Sequence, residues 1–143
     1  TTPGATVDYE VVARDIAEII AGLDVTAIAF DRWRIDLLKK EFADIGFALP
    51  LIEHGQGFKD MSPALDAVEA EFLNGRINHG GHPVLTMCAA GAVVTKDPSG
   101  NRKLDKSKAT SRIDGMVALA MAFGATSKLI ENEPEKAFQI FFV

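Results

Sequence analysis

An apolar run of six residues, VTAIAF at 25–30, is flanked by two segments whose apolar side chains recur at helical spacing. The first of these segments is 8–21, and the second begins at Trp33 and ends at Gly46. A further strand is expected over 47–52, although its proline leaves one backbone donor missing and restricts it to an edge or a strand end. Helices that alternate with strands in this way predict an α/β fold with a mixed sheet flanked by helices.

The middle of the chain predicts two more helices. Ser62 and Pro63 together are typical of a helix start, because serine accepts a backbone hydrogen bond and proline loses no needed donor at the first position. The buried face of this helix is expected to comprise Leu65, Val68, Phe72 and Leu73, up to Gly75. The run PVLTMCAAG at 83–91 indicates a short buried helix, although its periodicity alone does not exclude a strand.

A β-hairpin and an apolar helix are expected next. The turn-forming residues DPSGN separate two extended segments, 92–96 and 102–105, which is typical of a hairpin. Ser111, with Asp114 three residues later, matches a capping arrangement and opens a helix over MVALAMAFG, which is apolar nearly all round and therefore expected to be buried on most sides. An acidic stretch, ENEPEK, and an apolar tail, AFQIFFV, follow, and the tail suits either an edge strand or a docking segment.

Composition limits the classes of protein to be considered. The 143 residues are 48% hydrophobic and 24% charged, as in one globular domain. A net charge of −5 means that nucleic acid must be bound by a local surface rather than by the overall field. The longest stretch without charged residues, 77–95, contains glycines and a proline and predicts no membrane span. The chain has one cysteine, Cys88, and no recognisable secretion signal. Both features predict that the protein works in a reducing cytosol.

Two aspartates are candidates for chemistry, and each also has a purely structural interpretation. Asp31 follows the strand at 25–30 and precedes a helix, so it lies where α/β sheets place ligand-binding groups but also where a helix cap is common. Asp114 lies in the first turn of the apolar helix, where a carboxylate also interacts favourably with the helix dipole. Together, two carboxylates on separate elements could converge on a divalent cation.

A basic segment precedes Asp114. Residues 96–112 contain six basic residues against two acidic ones, a local net charge of +4 in an acidic chain. The basic residues are Lys96, Arg102, Lys103, Lys106, Lys108 and Arg112. Such a segment is either a solvated hairpin or a phosphate-contact surface, and its position beside Asp114 favours contact with DNA.

Other common motifs are absent. Neither GxGxxG nor GxxxxGK[ST] occurs, so the chain does not have the phosphate-binding loop of an ATPase. The spacing of His79, His82 and Cys88 matches no structural zinc pattern. Cys88 lies in an apolar run, where a thiol is usually inert packing.

Four stretches occur in order along the chain: AIAFDRW, QGFKDMSPAL, NGRINHGGHPVL and DPSGNRKLDKSKATSRIDGMVALAMAFG. In combination they resemble the nuclease domain of tailed-bacteriophage terminase large subunits. The resemblance covers roughly residues 1–125, and FDRW and RIDGMVALAMA are its most specific parts. It implies that 1–125 is the C-terminal portion of a ribonuclease-H-like domain, followed by an acidic linker and apolar tail at 126–143.

The resemblance also implies a function. Terminase large subunits join an ATPase motor to a nuclease that cuts concatemeric double-stranded DNA during packaging, with acidic residues that hold two Mg²⁺ or Mn²⁺ ions. Asp31 and Asp114 match two of these acids, as catalytic metal ligands. The implied partners are double-stranded DNA, the missing upstream strands and ATPase domain, the small terminase subunit and the portal. The expected location is the cytoplasm of the bacterial host.

The chain departs from the family pattern at two places. The family's first catalytic aspartate lies upstream of Thr1, and related sequences often have Asn in the stretch CAAGAVV, where this chain has Gly91. We therefore expect an incomplete site, with little or no cutting by this chain alone. The missing strand would also leave 25–30 with an open edge for self-association or for the tail. The alternative function is a noncatalytic prophage-remnant module that binds a packaging partner or DNA.

Overall fold

The computed structural model describes residues 5–33 and 35–132, with side chains up to residue 130. Within these residues the elements follow in the order α1 (Tyr9–Ile20), β1 (Ile28–Phe30), α2 (Ile35–Asp44), β2 (Leu51–Glu53), α3 (Phe58–Leu73), α4 (Pro83–Gly91), β3 (Val94–Lys96), β4 (Arg102–Leu104) and α5 (Asp114–Asn132). The expected α/β class is confirmed. The expected short helix at 83–91 and the hairpin are confirmed as α4 and β3–β4.

The strands form two separate pairs. β1 and β2 are parallel, with Ile28 opposite Leu51 and Phe30 opposite Glu53, whereas β3 and β4 are antiparallel. The mixed sheet expected beside the hairpin is therefore not found in the described part of the chain, because β1 and β2 are parallel and no antiparallel strand joins them there. The hairpin packs on α3, where the Arg102 N–H donates to Ser62 Oγ at 3.1 Å.

The main core lies between α3 and α5. It consists of Met61, Ala64, Leu65, Val68, Leu104, Ile113, Val117, Ala120 and Met121. Leu104 comes from β4 and Ile113 precedes α5, whereas the other positions recur at three- and four-residue spacing on the two helices, as expected for packed amphipathic faces. β1 also contacts α5, and Asp31, which follows β1, lines the same pocket as residues between Asp114 and Ala122 of that helix.

Helix α3 starts earlier than the sequence predicts. It begins at Phe58 with Gly57 as N-cap, so Ser62 and Pro63 lie inside it. The extra turn is stabilised by tertiary packing, since Met61 is only 1% exposed. The predicted end is confirmed, because Gly75 has φ +64° and its N–H donates to the Phe72 carbonyl. The predicted buried face is correct at Leu65 and Val68 but wrong at Phe72 and Leu73, which are exposed.

The strands are shorter than predicted. Val25 to Ala27 precede β1, and β2 begins after Pro50. Pro50 nevertheless supports the pairing, because its carbonyl accepts from the Ile28 N–H at 2.8 Å. The prediction that this proline lies at a strand end is therefore confirmed.

The boundaries of α2 and α5 also differ from prediction. The helical segment expected to begin at Trp33 begins at Ile35, and Trp33 lies outside α2 with 81% of its surface exposed. Ser111 does not cap α5; its hydroxyl donates to the Met87 carbonyl at 3.4 Å, and the Ile113 carbonyl accepts the first helical hydrogen bond. Ala118 and Ala122 are exposed, so α5 is less completely buried than its composition predicts.

Helix α5 continues to Asn132, so the domain boundary expected after residue 125 lies within this helix. The apolar tail and most of the acidic stretch lie in 133–143, outside the described residues. Among the described helices, none has both the length and the apolar character needed to cross a membrane.

Candidate functional site

Asp31 immediately follows β1, and both of its carboxylate oxygens accept hydrogen bonds. The Trp33 N–H donates to Oδ1 at 3.2 Å, and the Gln56 side-chain amide donates to Oδ2 at 2.5 Å. Gln56 reaches Asp31 because β1 and β2 are parallel and end together: Phe30 pairs with Glu53, three residues before Gln56. The orientation of the Asp31 carboxylate is therefore fixed by its own turn and by the loop after β2.

Asp114 is the first residue of α5, and its side chain is 67% exposed. Lys106, from the turn after β4, places its Nζ 3.0 Å from Asp114 Oδ1. Two exposed charges in such a pair contribute little to stability, because water screens them. The pair does, however, put a cation on the carboxylate that the sequence identified as a candidate metal ligand.

Asp31 and Asp114 line the same open groove, which has a volume of about 450 Å³. Gln56 and Lys106 line it as well, and its floor is formed by apolar residues of β1 and α5. The two aspartates thus line one groove. Their roles in catalysis and in metal binding stay predictions.

The donor atoms of this groove suit one hard divalent cation better than two. Carboxylate and amide oxygens are the ligands that Mg²⁺ and Mn²⁺ prefer. The described residues contain no group of three or more His, Cys, Asp or Glu side chains placed to hold a metal ion. Asp31 and Asp114 are thus the two carboxylates that line the groove, and the Gln56 amide lies beside Asp31.

The basic segment is not one continuous surface of unpaired cations. Arg102 forms ion pairs with Asp66 and Glu69 of α3, the latter at 2.7 Å. Lys103 lies over the ring of Phe58 at 4.8 Å. The remaining residues are Lys106, paired with Asp114; Lys108, paired with Asp105 at 3.5 Å; and the exposed Lys96 and Arg112. The prediction that these six residues contact DNA stays a prediction.

Gly91 lies where another chain segment approaches closely. It is buried, and a Cβ added to it would lie 2.0 Å from Ser111 Oγ and 3.2 Å from the Ser111 backbone nitrogen. The Thr110 N–H also donates to the Gly91 carbonyl at 3.2 Å. The glycine therefore lets α4 pack directly against the segment that leads to Asp114. An asparagine at position 91 would require this segment to move.

A buried histidine lies one residue beyond β2. His54 is 1% exposed, its Nδ1 is 3.0 Å from the Gly55 carbonyl oxygen, and its Nε2 has no hydrogen-bond partner in the described structure. Burial lowers the pKa of His54, and the nearby Lys128 ammonium lowers it further. The side chain is therefore held neutral beside α5.

The same region contains an ion pair between α3 and α5. Lys128 Nζ donates to Asp60 Oδ1 at 2.9 Å and to the Glu53 carbonyl at 3.5 Å. The hydrogen bond from Lys128 lowers the pKa of Asp60. Lys128 therefore contacts both sides of the loop that carries Gln56, with Glu53 before the loop and Asp60 after it. His54, at the start of the loop, is buried.

Sequence reasoning missed Gln56 and His54 as parts of the site region and gave Lys106 a different role. Gln56 lies in the loop after β2, and Asp31 lies directly after β1. The rule that α/β sheets place ligand-binding groups after their strands, which identified the aspartate, therefore also applied to the amide. His54 carried no local signal, because its burial depends on Gly124 of α5.

The chain matches known proteins in both sequence and structure. Residues 1–129 match the family model for the terminase large subunit, endonuclease domain. The terminase large subunit of Enterobacteria phage HK97 is 65% identical over 127 residues, which make up 89% of this chain and 25% of the relative. Protein YmfN of Escherichia coli strain K12 is 33% identical over 135 residues, 92% of this chain and 29% of that protein.

The crystal structure of the HK97 bacteriophage large terminase superposes with a TM-score of 0.82 and 66% sequence identity. The match covers 87% of this chain and 26% of that one, so the chain spans about a quarter of the large subunit. The resemblance seen in the sequence is confirmed: the chain belongs to the terminase large subunit endonuclease-domain family.

Proposed function

We propose that this chain is the C-terminal portion of a ribonuclease-H-like nuclease domain and contributes to metal-dependent cleavage of concatemeric double-stranded DNA during phage packaging. One observation carries the proposal: Asp31 and Asp114, which lie far apart in the matched sequence, line the same groove. The proposed partners are DNA, the upstream nuclease strands and ATPase domain, the small terminase subunit and the portal. The proposed location is the host cytoplasm.

In this proposal Asp31 and Asp114 hold the metal. A bound Mg²⁺ or Mn²⁺ would neutralise charge on the scissile phosphate and increase the acidity of the attacking water. Gln56 and the Trp33 N–H keep the Asp31 carboxylate directed into the groove. The third acid is supplied by the upstream segment, so this chain alone binds one ion weakly and cuts little or not at all.

DNA contact in this proposal comes from the hairpin and the segment that follows it. Lys96 and Arg112 are exposed, and Lys108 has only a solvent-screened pair with Asp105. Arg102 contributes less, because Asp66 and Glu69 hold its guanidinium on α3. Contacts of this kind neutralise phosphates and fix orientation without reading sequence.

The test is a chimera in which this chain replaces the matching 127-residue segment of the HK97 large subunit. We expect Mn²⁺-dependent cleavage of supercoiled plasmid, with a loss of at least about a hundredfold for Asp31→Asn or Asp114→Asn, because each removes a metal ligand. Asp36→Asn is the matched control, since this exposed aspartate lies in the first turn of α2, outside the groove. Unchanged cleavage in both groove variants would overturn the proposal.

The alternative function is that of a noncatalytic module. It is favoured because Asp31 and Asp114 both occupy positions where an aspartate commonly has a structural role. Asp31 accepts from Trp33 in an arrangement typical of an Asx turn, and Asp114 begins a helix. On this alternative, Asp31→Asn and Asp114→Asn reduce stability by up to about 1 kcal/mol and leave the response to Mn²⁺ unaltered. Thermal unfolding of this chain with and without Mn²⁺ separates the two functions.

A further inference from the structure

Each aspartate of the groove is engaged by a donor from a different element. Asp31 receives the neutral Gln56 amide from the loop after β2, whereas Asp114 receives the charged Lys106 ammonium from the turn after β4. Lys106 is the residue of the basic segment that lines the groove in the described structure. The positive charge of Lys106 therefore opposes the binding of any other cation at Asp114.

The turn that carries Lys106 is held in place by its neighbours. The Asp105 carboxylate accepts from the Ser107 N–H at 3.0 Å and from the Ser107 hydroxyl at 2.6 Å. The Ala109 N–H donates to the Asp105 carbonyl at 3.1 Å. Lys108 pairs with Asp105 instead of entering the groove. Two lysines two residues apart thus have separate environments.

We infer that metal binding in this groove is a cation exchange, in which a divalent ion at Asp114 displaces the Lys106 ammonium. This inference rests on the proposed function and assigns Lys106 a role as a positioning residue. The pair is exchangeable because the lysine side chain is 50% exposed and the aspartate 67% exposed. Once displaced, the ammonium stays beside the groove, where a phosphate oxygen of the substrate can replace the aspartate as its partner.

The experiment measures Mn²⁺ binding to the full chain from the electron paramagnetic resonance signal of free Mn²⁺. Lys106→Met removes the competing charge and keeps the aliphatic stem, so we expect it to tighten Mn²⁺ binding by about two- to fivefold, the size of an exposed ion pair. Lys106→Arg keeps the charge and should bind like the unmodified chain. Lys108→Met is the matched control, because it changes the net charge equally but leaves the groove unaltered.

Further variants locate the effect. Asp114→Asn should weaken Mn²⁺ binding and abolish the tightening caused by Lys106→Met, since the two residues then no longer share an ion pair. Equal affinities for Lys106→Met and Lys108→Met would overturn the exchange, as would tightening that persists in the double variant Lys106→Met, Asp114→Asn.

The outcome also separates this inference from the proposed function. Mn²⁺ binding by the chain without any effect of Lys106→Met would overturn the exchange alone. Exchange on this chain together with a chimera that does not cleave DNA would overturn the nuclease alone. The absence of Mn²⁺ binding in the unmodified chain and in every variant, together with a chimera that does not cleave DNA, would overturn both.

Discussion

At the residue scale, Gly124 of α5 packs closely against the His54 ring. A Cβ on Gly124 would lie 2.0 Å from His54 Nε2 and 3.1 Å from the Ala64 side chain. Neither neighbour can retreat, because His54 is 1% exposed and Ala64 is fully buried. Glycine is therefore the residue that allows β2 and α5 to pack at this separation.

Replacing this glycine should destabilise the fold. We expect Gly124→Ala to lower the free energy of unfolding by about 1–3 kcal/mol, because the added methyl group overpacks the contact. Chemical denaturation measures the change. Gly22→Ala is the control: no atom lies within 4 Å of the added Cβ, so its effect should stay within about 0.5 kcal/mol. Equal effects of the two substitutions would contradict the overpacking argument.

The groove shows which residues a sequence can and cannot identify. Asp31 could be identified as a candidate because α/β sheets place ligand-binding groups after their strands, and Asp114 because it lies in the first turn of a well-defined helix. The ion-pair partner of Lys106 could not be identified from the sequence, because a run of basic residues does not indicate which acid each side chain will contact. Lys106 was grouped with DNA-contacting residues, whereas in the structure it pairs with Asp114.

At the element scale, ion pairs of Arg102 hold the hairpin against α3. Its guanidinium pairs with Asp66 and Glu69, one turn apart on the helix, and its side chain is only 26% exposed. Its backbone N–H donates to Ser62 Oγ on the same helix. A planar guanidinium can bind two carboxylates at once, which an ammonium does less well. The hairpin is therefore anchored mainly through β4.

Loss of this anchor should loosen the hairpin without unfolding the chain. We expect Arg102→Gln to accelerate amide hydrogen exchange of the β3–β4 pair several-fold, and Arg102→Lys to restore only part of the protection. Exchange followed by mass spectrometry of hairpin peptides measures this. Lys96→Gln removes an exposed cation from the same hairpin and should leave exchange unchanged. Similar exchange in the glutamine variants at 96 and 102 would contradict the anchoring role.

The start of α3 illustrates why element boundaries are harder to predict than elements. Ser62 and Pro63 satisfy the local rules for a helix start, yet the helix begins at Phe58. The earlier turn exists because Met61 enters the core and Asp60 pairs with Lys128 of α5. Both stabilising contacts join residues far apart in sequence. Local propensity could not have identified them.

At the scale of the whole molecule, stability should depend on pH through the buried His54. Its folded pKa lies below the ordinary histidine value, so the unfolded chain binds a proton more readily than the folded one. The stabilising contribution is complete above about pH 6.5 and is lost as pH falls towards the folded pKa. Asp60, whose pKa is also lowered, adds a further loss at lower pH.

The corresponding measurement is chemical denaturation at pH 7.5 and pH 5. We expect the chain to be less stable at pH 5, and His54→Asn to show a smaller difference between the two pH values. His82→Asn changes an exposed histidine in the turn before α4 and should keep the full difference. Equal stability of the unmodified chain at both pH values would show that His54 does not act in this way.

The 19 residues of α5 run without a break from Asp114 in the groove past Lys128, which is fastened to Asp60 and to the end of β2. Such a helix is about 28 Å long and is stiff along its axis. It therefore resists compression between its two ends. An axial shift of α5 relative to β1 would therefore change the distance between Asp114 and Asp31 by a similar amount.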